Sequence, residues 1–274
     1  MPDPTRPRGR PRTSPADPEQ HTVVALDRAL ALLEVISARP GLSLSDLAEQ
    51  TGQALATTFR ALATLQARGM VEGVEPGPLW HIGPAAFRLG TAYLRRTGLE
   101  VQARRAMDAL VAASGETASL GIVSGGRLLV LTQSETRQPI RAIFPPGTLA
   151  PLHAAAPGKV LLAWADEDLR EEVLEGQRLE RLTTLTITSP ETLARELLRT
   201  RSRGFALDDQ EQAEGMRGVA APIFDGAGRV VAALAVAGPA FRFGLSDATR
   251  LGAAVRAAAD GVTEAIGGSA PEDI

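Results

Sequence analysis

Ser43-Leu-Ser-Asp-Leu-Ala-Glu-Gln-Thr-Gly-Gln-Ala-Leu-Ala-Thr-Thr-Phe-Arg-Ala-Leu-Ala-Thr-Leu-Gln-Ala-Arg-Gly69 is the stretch that decides the fold. It reads as two helices joined by a tight turn. Ser43 stands where a residue caps the first helix. Asp46, three residues on, puts negative charge near the helix N-terminus, where the backbone dipoles favour it. Leu44, Leu47 and Ala48 form an apolar stripe at helical spacing. Thr51-Gly52-Gln53 breaks that period. The second helix carries Leu55, Thr58, Leu62 and Leu65 on roughly one face and closes at Gly69, a C-cap position. A short helix, a glycine-containing turn and a second helix make the helix-turn-helix pattern, whose second helix enters the DNA major groove. The expectation is a DNA-binding regulator, not an enzyme.

Working outward, Val23 to Ile36 predicts a helix with Val23, Leu26, Leu30, Leu33 and Ile36 facing a core, ended by Arg39-Pro40-Gly41. Downstream, Met70–Val74 and Leu79–Ile82 read as short strands around Glu75-Pro76-Gly77-Pro78, a β-hairpin wing. Residues 22–83 are therefore expected to form a winged helix-turn-helix domain. Pro84 opens a further helix to Arg96, with Phe87, Leu89, Tyr93 and Leu94 as its apolar residues. Residues 84–98 would link two domains and offer a face to a partner subunit. Ahead of all this, residues 1–21 are poor in apolar side chains and read as a disordered basic arm. Its Arg6-Pro-Arg-Gly-Arg-Pro-Arg12 resembles an AT-hook, suited to a narrow minor groove. The other reading is a solvated basic tail.

The chain of 274 residues suits two modest domains, and 44% hydrophobic residues suffice for their cores. No run of 18 apolar residues predicts a membrane span. The Arg- and Pro-rich start lacks the apolar stretch of a secretory signal, so a cytoplasmic protein is expected. Zero cysteines exclude disulfides and thiolate metal sites. The three histidines, His21, His81 and His153, form no paired ligand motif, so neither metal nor cofactor is expected. Residues 1–98 carry a formal charge of +2 and the remainder −5, which places the phosphate-contacting part first.

From about Leu99 the pattern changes. Val101–Ala113 is helical. Thr117–Val123 and Arg127–Gln133 alternate as a hairpin across Ser124-Gly125-Gly126. Ile140–Phe144 reads as a strand, Gly158–Trp164 as the start of a helix, and Pro190–Arg203 as a clear one. Val219–Phe224 and Val230–Ala237 form a second hairpin, and Leu245–Ile266 a terminal helix. Strand pairs mixed with helices suggest an α+β domain with an antiparallel sheet over residues 99–268.

These elements, in this order, resemble the IclR family of bacterial transcriptional regulators over roughly residues 22–268. The likeness rests on Ala25–Leu33, on Thr57-Thr58-Phe59-Arg60, and on Trp80-His81-Ile82-Gly83 followed by Phe87 and Gly90. It continues through Gly115-Glu116-Thr117, Pro151-Leu152-His153-Ala154, Gly158-Lys159, Gly204–Asp209 and Gly215–Asp225. The wing and linker are similar to the acetate-operon-repressor branch. The resemblance implies a winged helix-turn-helix joined to a GAF-like effector-binding domain. It implies operator DNA as a partner, a homodimer or dimer of dimers, and control by a small organic or aromatic acid. It assigns DNA contacts to Arg28, Ser43, Thr57, Phe59 and Arg60. Arg60 suits either a guanine edge or a phosphate, Thr57 a base or a thymine methyl.

The resemblance also places effector contacts at Ala142, Ala150, Ala156, Pro157, Asp208, Gly218, Ala235 and Ala237. Most depart from the branch pattern. Pro157 has no N–H to donate. Gly218 stands at a cysteine position, and Ala235 and Ala237 at two serine positions; Asp208 keeps its acid. Each unpaired ligand oxygen costs about 1–3 kcal/mol, so an effector larger or less polar than glyoxylate is expected. Asp208 has a second reading as part of a solvated acidic loop with Asp209, Gln210 and Glu211. Lys159, the only lysine, is expected in a structural ion pair, His153 in a core hydrogen bond, and Arg217 beside a nearby acid. An enzyme reading finds no Gly-x-Ser-x-Gly elbow. A remaining alternative keeps the DNA-binding domain and leaves the sensor pocket filled and free of ligand.

Overall fold

A computed structural model of the protein describes residues 22–75, 77–176 and 179–271. The basic arm with its Arg6–Arg12 segment and His21 lie outside the described residues, as does Pro76 of the wing turn. The described residues form two compact units, one up to residue 93 and one from residue 94, and the chain passes from one to the other within a helix.

In the first unit, helix α1 (Val24–Ala38) is followed by α2 (Leu44–Thr51) and α3 (Leu55–Ala67). Strands β1 (Val71–Val74) and β2 (Leu79–Ile82) pair antiparallel, with Val71 opposite Ile82 and Val74 opposite Leu79. The start of α2 is a reciprocal cap. The Asp46 N–H donates to the Ser43 hydroxyl oxygen at 3.2 Å, and the Ser43 N–H donates to Asp46 Oδ2 at 3.0 Å. Gly52 ends α2 at φ 64°, a conformation that side chains with a Cβ resist, so the turn into α3 needs glycine here. Leu32, Ile36, Leu47, Leu62, Val71 and Trp80 form the core. The expected core face of α1 is corrected in part: Ile36 is buried and Leu33 packs against the cluster, but Val23, Leu26 and Leu30 are exposed. The fully buried leucine of that helix is Leu32, one residue off the expected stripe. Leu55 is likewise exposed, because α3 turns its first residue away from the small core.

The second unit follows α4 (Pro84–Thr97) with α5 (Leu99–Ser114) and the hairpin β3 (Thr117–Ser124) and β4 (Arg127–Ser134). A two-residue strand β5 (Leu149–Ala150), helices α6 (Ala156–Ala163), α7 (Glu167–Glu171) and α8 (Pro190–Arg203), strands β6 (Ala206–Asp209), β7 (Met216–Phe224) and β8 (Val230–Pro239), and helix α9 (Leu245–Ala265) complete it. The six strands are ordered β5-β4-β3-β8-β7-β6, every ladder antiparallel. Alternation along the central strands separates two cores. Val219, Ala221, Ile223, Leu234 and Val236 join α5 and α9 on one face. Ala206, Ala220, Ala233 and Ala235 join α6 and α8 on the other. That second face is built of very small side chains. At Gly158, within α6, a Cβ would fall 2.2 Å from the Leu152 carbonyl oxygen, so only glycine lets the helix start sit this close to the preceding turn.

The expected strand at Ile140–Phe144 is absent: the segment is irregular. The edge of β4 is taken instead by residues 147–150. The Val130 N–H donates to the Thr148 carbonyl, and Leu128 and Leu129 pair with Ala150 and Leu149. The Phe144 N–H finds the Gln133 side-chain oxygen at 2.9 Å in place of a ladder partner. Strand β6 and helix α7 were not anticipated. Asp208 lies on β6 and is only 7% exposed, which rules out the solvated-loop reading.

Candidate functional site

On the first unit the candidate DNA contacts gather around α3. Phe59 (57% exposed) and Arg60 project from its outer side, and Thr57 is half-buried one turn before Arg60. Arg28 is exposed on α1, and its carbonyl accepts from Gln53 Nε2 at 3.2 Å, which ties α1 to the turn before α3. The Ser43 hydroxyl is already engaged: it donates to Asp46 Oδ2 at 2.6 Å. That hydrogen bond, with the one from the Ser43 N–H, holds the exposed Asp46 carboxyl below its usual range.

On the second unit a small cavity opens on the small-residue face of the sheet. Seven of the eight positions assigned to the effector line it: Ala150, Ala156, Pro157, Asp208, Gly218, Ala235 and Ala237. Ala142 does not. It is buried in the irregular segment that was expected to be a strand, and Phe144 of that segment lines the cavity instead. Without a regular strand there is no two-residue alternation to turn Ala142 inward.

Pairing register explains the gathering. Asp208 stands opposite Gly218 on β7, and Gly218 opposite Ala237 on β8. In the adjoining row Ala220 faces Ala235, and Ala235 faces Ser119 on β3. Ser119, Thr148 and Gln212 add polar groups that sequence reasoning missed. The signal for Ser119 was its parity: Ala118 and Leu120 belong to the α5–α9 core, so Ser119 must face the other way. What the sequence did not supply was the β3–β8 pairing that sets it beside Ala235.

Behind the cavity lies a buried charge cluster. Lys159 of α6 is fully buried; its ammonium donates to Glu211 Oε1 at 2.5 Å and to the Leu207 carbonyl. This is the expected structural ion pair. Asp208 Oδ1 accepts the Glu211 N–H at 2.7 Å and the Gln212 N–H at 3.4 Å. Burial pushes the Asp208 carboxyl up to about 7 against the opposing pull of Lys159, and burial raises Glu211 as well. Arg217 reaches the Asp209 carboxylate at 2.6 Å, away from any role as a free anion clamp, and His153 Nε2 lies 2.9 Å from the Glu180 carbonyl. Among the described residues no group of three or more His, Asp or Glu side chains converges to hold a metal ion. Nor, among them, is any helix long and apolar enough to cross a membrane.

The family model described as "Bacterial transcriptional regulator IclR C-terminal" matches residues 91–264, and "IclR helix-turn-helix domain" matches residues 25–75. The chain belongs to the IclR family. Among its IclR relatives, the HTH-type transcriptional regulator BhcR of Paracoccus denitrificans is 45% identical, covering 97% of this chain and 94% of that protein. The transcriptional repressor IclR of Escherichia coli is 35% identical over 95% of this chain and 96% of its own. In solved structures, an IclR regulator from Alicyclobacillus acidocaldarius superposes with a TM-score of 0.82 at 25% identity, over 90% of this chain and all of that one. An IclR homologue from Microbacterium hydrocarbonoxydans, complexed with 4-hydroxybenzoate, gives 0.78 at 25% identity over 88% and 98%. The fold is thus that of IclR regulators: a helix-turn-helix domain followed by a mixed helix-and-sheet domain. The relatives are regulators of transcription, not enzymes.

Proposed function

We propose that this IclR-family regulator is a repressor that binds operator DNA through residues 22–83 and a small organic or aromatic acid through residues 99–268, with 84–98 as the link. Arg60, Phe59 and Thr57 read the major groove, and Arg28 and Ser43 lie toward phosphate. Base contacts choose the sequence while phosphate contacts supply most of the affinity. The effector acts by binding two conformations unequally, since equal affinity shifts nothing. The protein works in the cytoplasm as a homodimer or a dimer of dimers. The exposed apolar side chains of α1 and α4, Leu26, Leu30, Phe87 and Leu89, support a second copy as their cover.

One observation carries the effector half: Asp208, Gly218, Ala235, Ala237 and the start of α6 surround one cavity. Its lining is mostly apolar with few polar anchors, the usual form of a small-molecule site. Gly218, Ala235 and Ala237 remove side-chain polar groups, and Pro157 a main-chain donor. These losses support an effector larger or less polar than a two-carbon oxo-acid.

The test begins with duplexes selected from random DNA by the wild-type protein. Arg60→Ala should lose retardation of the selected duplex while melting at the wild-type temperature. Retained affinity for the selected duplex would overturn the assignment of α3. Thermal shifts with a panel of organic and aromatic acids test the effector half, because a ligand of the native state raises stability by mass action.

A further inference from the structure

Resting on that effector reading, we propose that the cavity takes an elongated acid with a polar group at each end, one end held at Asp208 and the other at the Ser119 hydroxyl. Ser119 is 8% exposed and lines the cavity. Among the described residues its hydroxyl has no hydrogen-bond partner in the protein. The hydroxyl is not sealed off in the core, so solvent can pair it in the cavity and a ligand group can take the place of that solvent. At the opposite end, Gln212 lines the cavity beside Asp208 and gives its backbone N–H to that carboxyl.

Between these two ends the sheet offers no polar side chain. Ala235 and Ala237 of β8 and Gly218 and Ala220 of β7 fill the intervening positions. Leu128, Val130 and Phe144 supply an apolar wall. Ser119 and Asp208 sit on β3 and β6, three strand spacings apart and two residues out of row, roughly 16 Å along the sheet. A hydrogen bond of about 2.8 Å at each end leaves a span of several ångströms for the ligand itself. A two-carbon oxo-acid is only about 4 Å long; it reaches one end and leaves the other unpaired. An aromatic ring or a short methylene chain, polar at both tips, satisfies both. Ser119 thereby becomes a specificity-determining residue. It lies one strand beyond Ala235, which holds one of the positions where serine was expected from the family resemblance.

Calorimetry on the full-length protein tests this with paired probes: 4-hydroxybenzoate against benzoate, and glutarate against glyoxylate. Wild-type protein should bind the two-ended member of each pair at least about tenfold more tightly. Ser119→Ala should remove most of that advantage and leave benzoate binding unchanged, with an unaltered melting temperature. Adding Ala235→Ser to Ser119→Ala returns a hydroxyl one strand, about 4.8 Å, nearer to Asp208, so preference should move from glutarate to diacids shorter by about three methylenes, tested with oxalate and malonate. A purely structural role for Ser119 would not move a length preference. Wild-type affinities in Ser119→Ala, or glyoxylate binding more tightly than the two-ended probes, would overturn the proposal while leaving an effector site in place. Failure of every probe to bind would remove the effector reading along with it.

Discussion

Asp208 shows how much of this protein's chemistry hangs on one carboxyl group. Its ionisation is resisted by burial, eased by Lys159 on α6, and opposed by Glu211 in the following turn. The folded value of about 7 lies above the ordinary 3.8. Ionised Asp208 therefore costs stability, and the cost grows as pH rises from about 4 to about 7 and is constant above that. Asp208→Asn keeps an oxygen for the Glu211 and Gln212 N–H groups but cannot ionise. The variant should melt higher than wild type at pH 8, by a margin that shrinks toward pH 4 in a calorimetric pH series. The neighbouring ion pair behaves differently. Lys159→Met leaves Glu211 buried without its cation and should cost about 3–5 kcal/mol. Lys159→Met with Glu211→Met should recover much of that loss in denaturant melts, since removing both charges also removes both desolvation penalties. At this scale the sequence was legible where a family position carried a chemically distinctive residue, as at Asp208. At Ser119 it offered parity alone, because a serine on a strand looks the same whether it meets solvent or a cavity.

Elements were legible where local signals agreed. Ser43 and Asp46 mark the start of α2, and Ser189-Pro190 and Gly204 bound α8, because caps act within a few residues of chain. Ser43→Ala should cost about 1 kcal/mol in denaturant melts, while Ser43→Asn, which keeps an acceptor for the Asp46 N–H and a donor for the Asp46 carboxylate, should cost less. Ile140–Phe144 misled because β propensity says nothing about whether an edge is free. The edge of β4 was already taken by residues 147–150. Strand β6 escaped notice for the opposite reason: Ala206–Asp209 is short and half acidic, and only pairing with β7 makes it a strand. On α1 the 3.6-residue period was sound, but a three-helix core is too small to cover every apolar position along it. Leu32 and Ile36 are fully buried, and Leu26 and Leu30 are left outside.

Those uncovered side chains lead to the whole molecule. Exposed leucines on a short first helix are unremarkable singly; a row of them, with Phe87 and Leu89 exposed on α4, is the surface a second copy would cover. A two-fold axis brings the same patch to both sides, so one substitution acts twice. Leu26→Glu with Leu30→Glu replaces two solvent-facing leucines and should change monomer stability little. Across a two-fold contact, however, it sets like charges against each other in an apolar setting. Sedimentation should then show the mass falling to that of one chain at concentrations where wild type is dimeric. Operator binding should weaken far more than the loss of any single base contact predicts, because a monomer engages one half-site and surrenders the phosphate contacts of the other. Its dependence on salt should flatten by roughly half for the same reason, since the slope counts the phosphates engaged. A variant that kept its mass and its salt slope would place the dimer contact on another face, leaving these leucines as solvated surface.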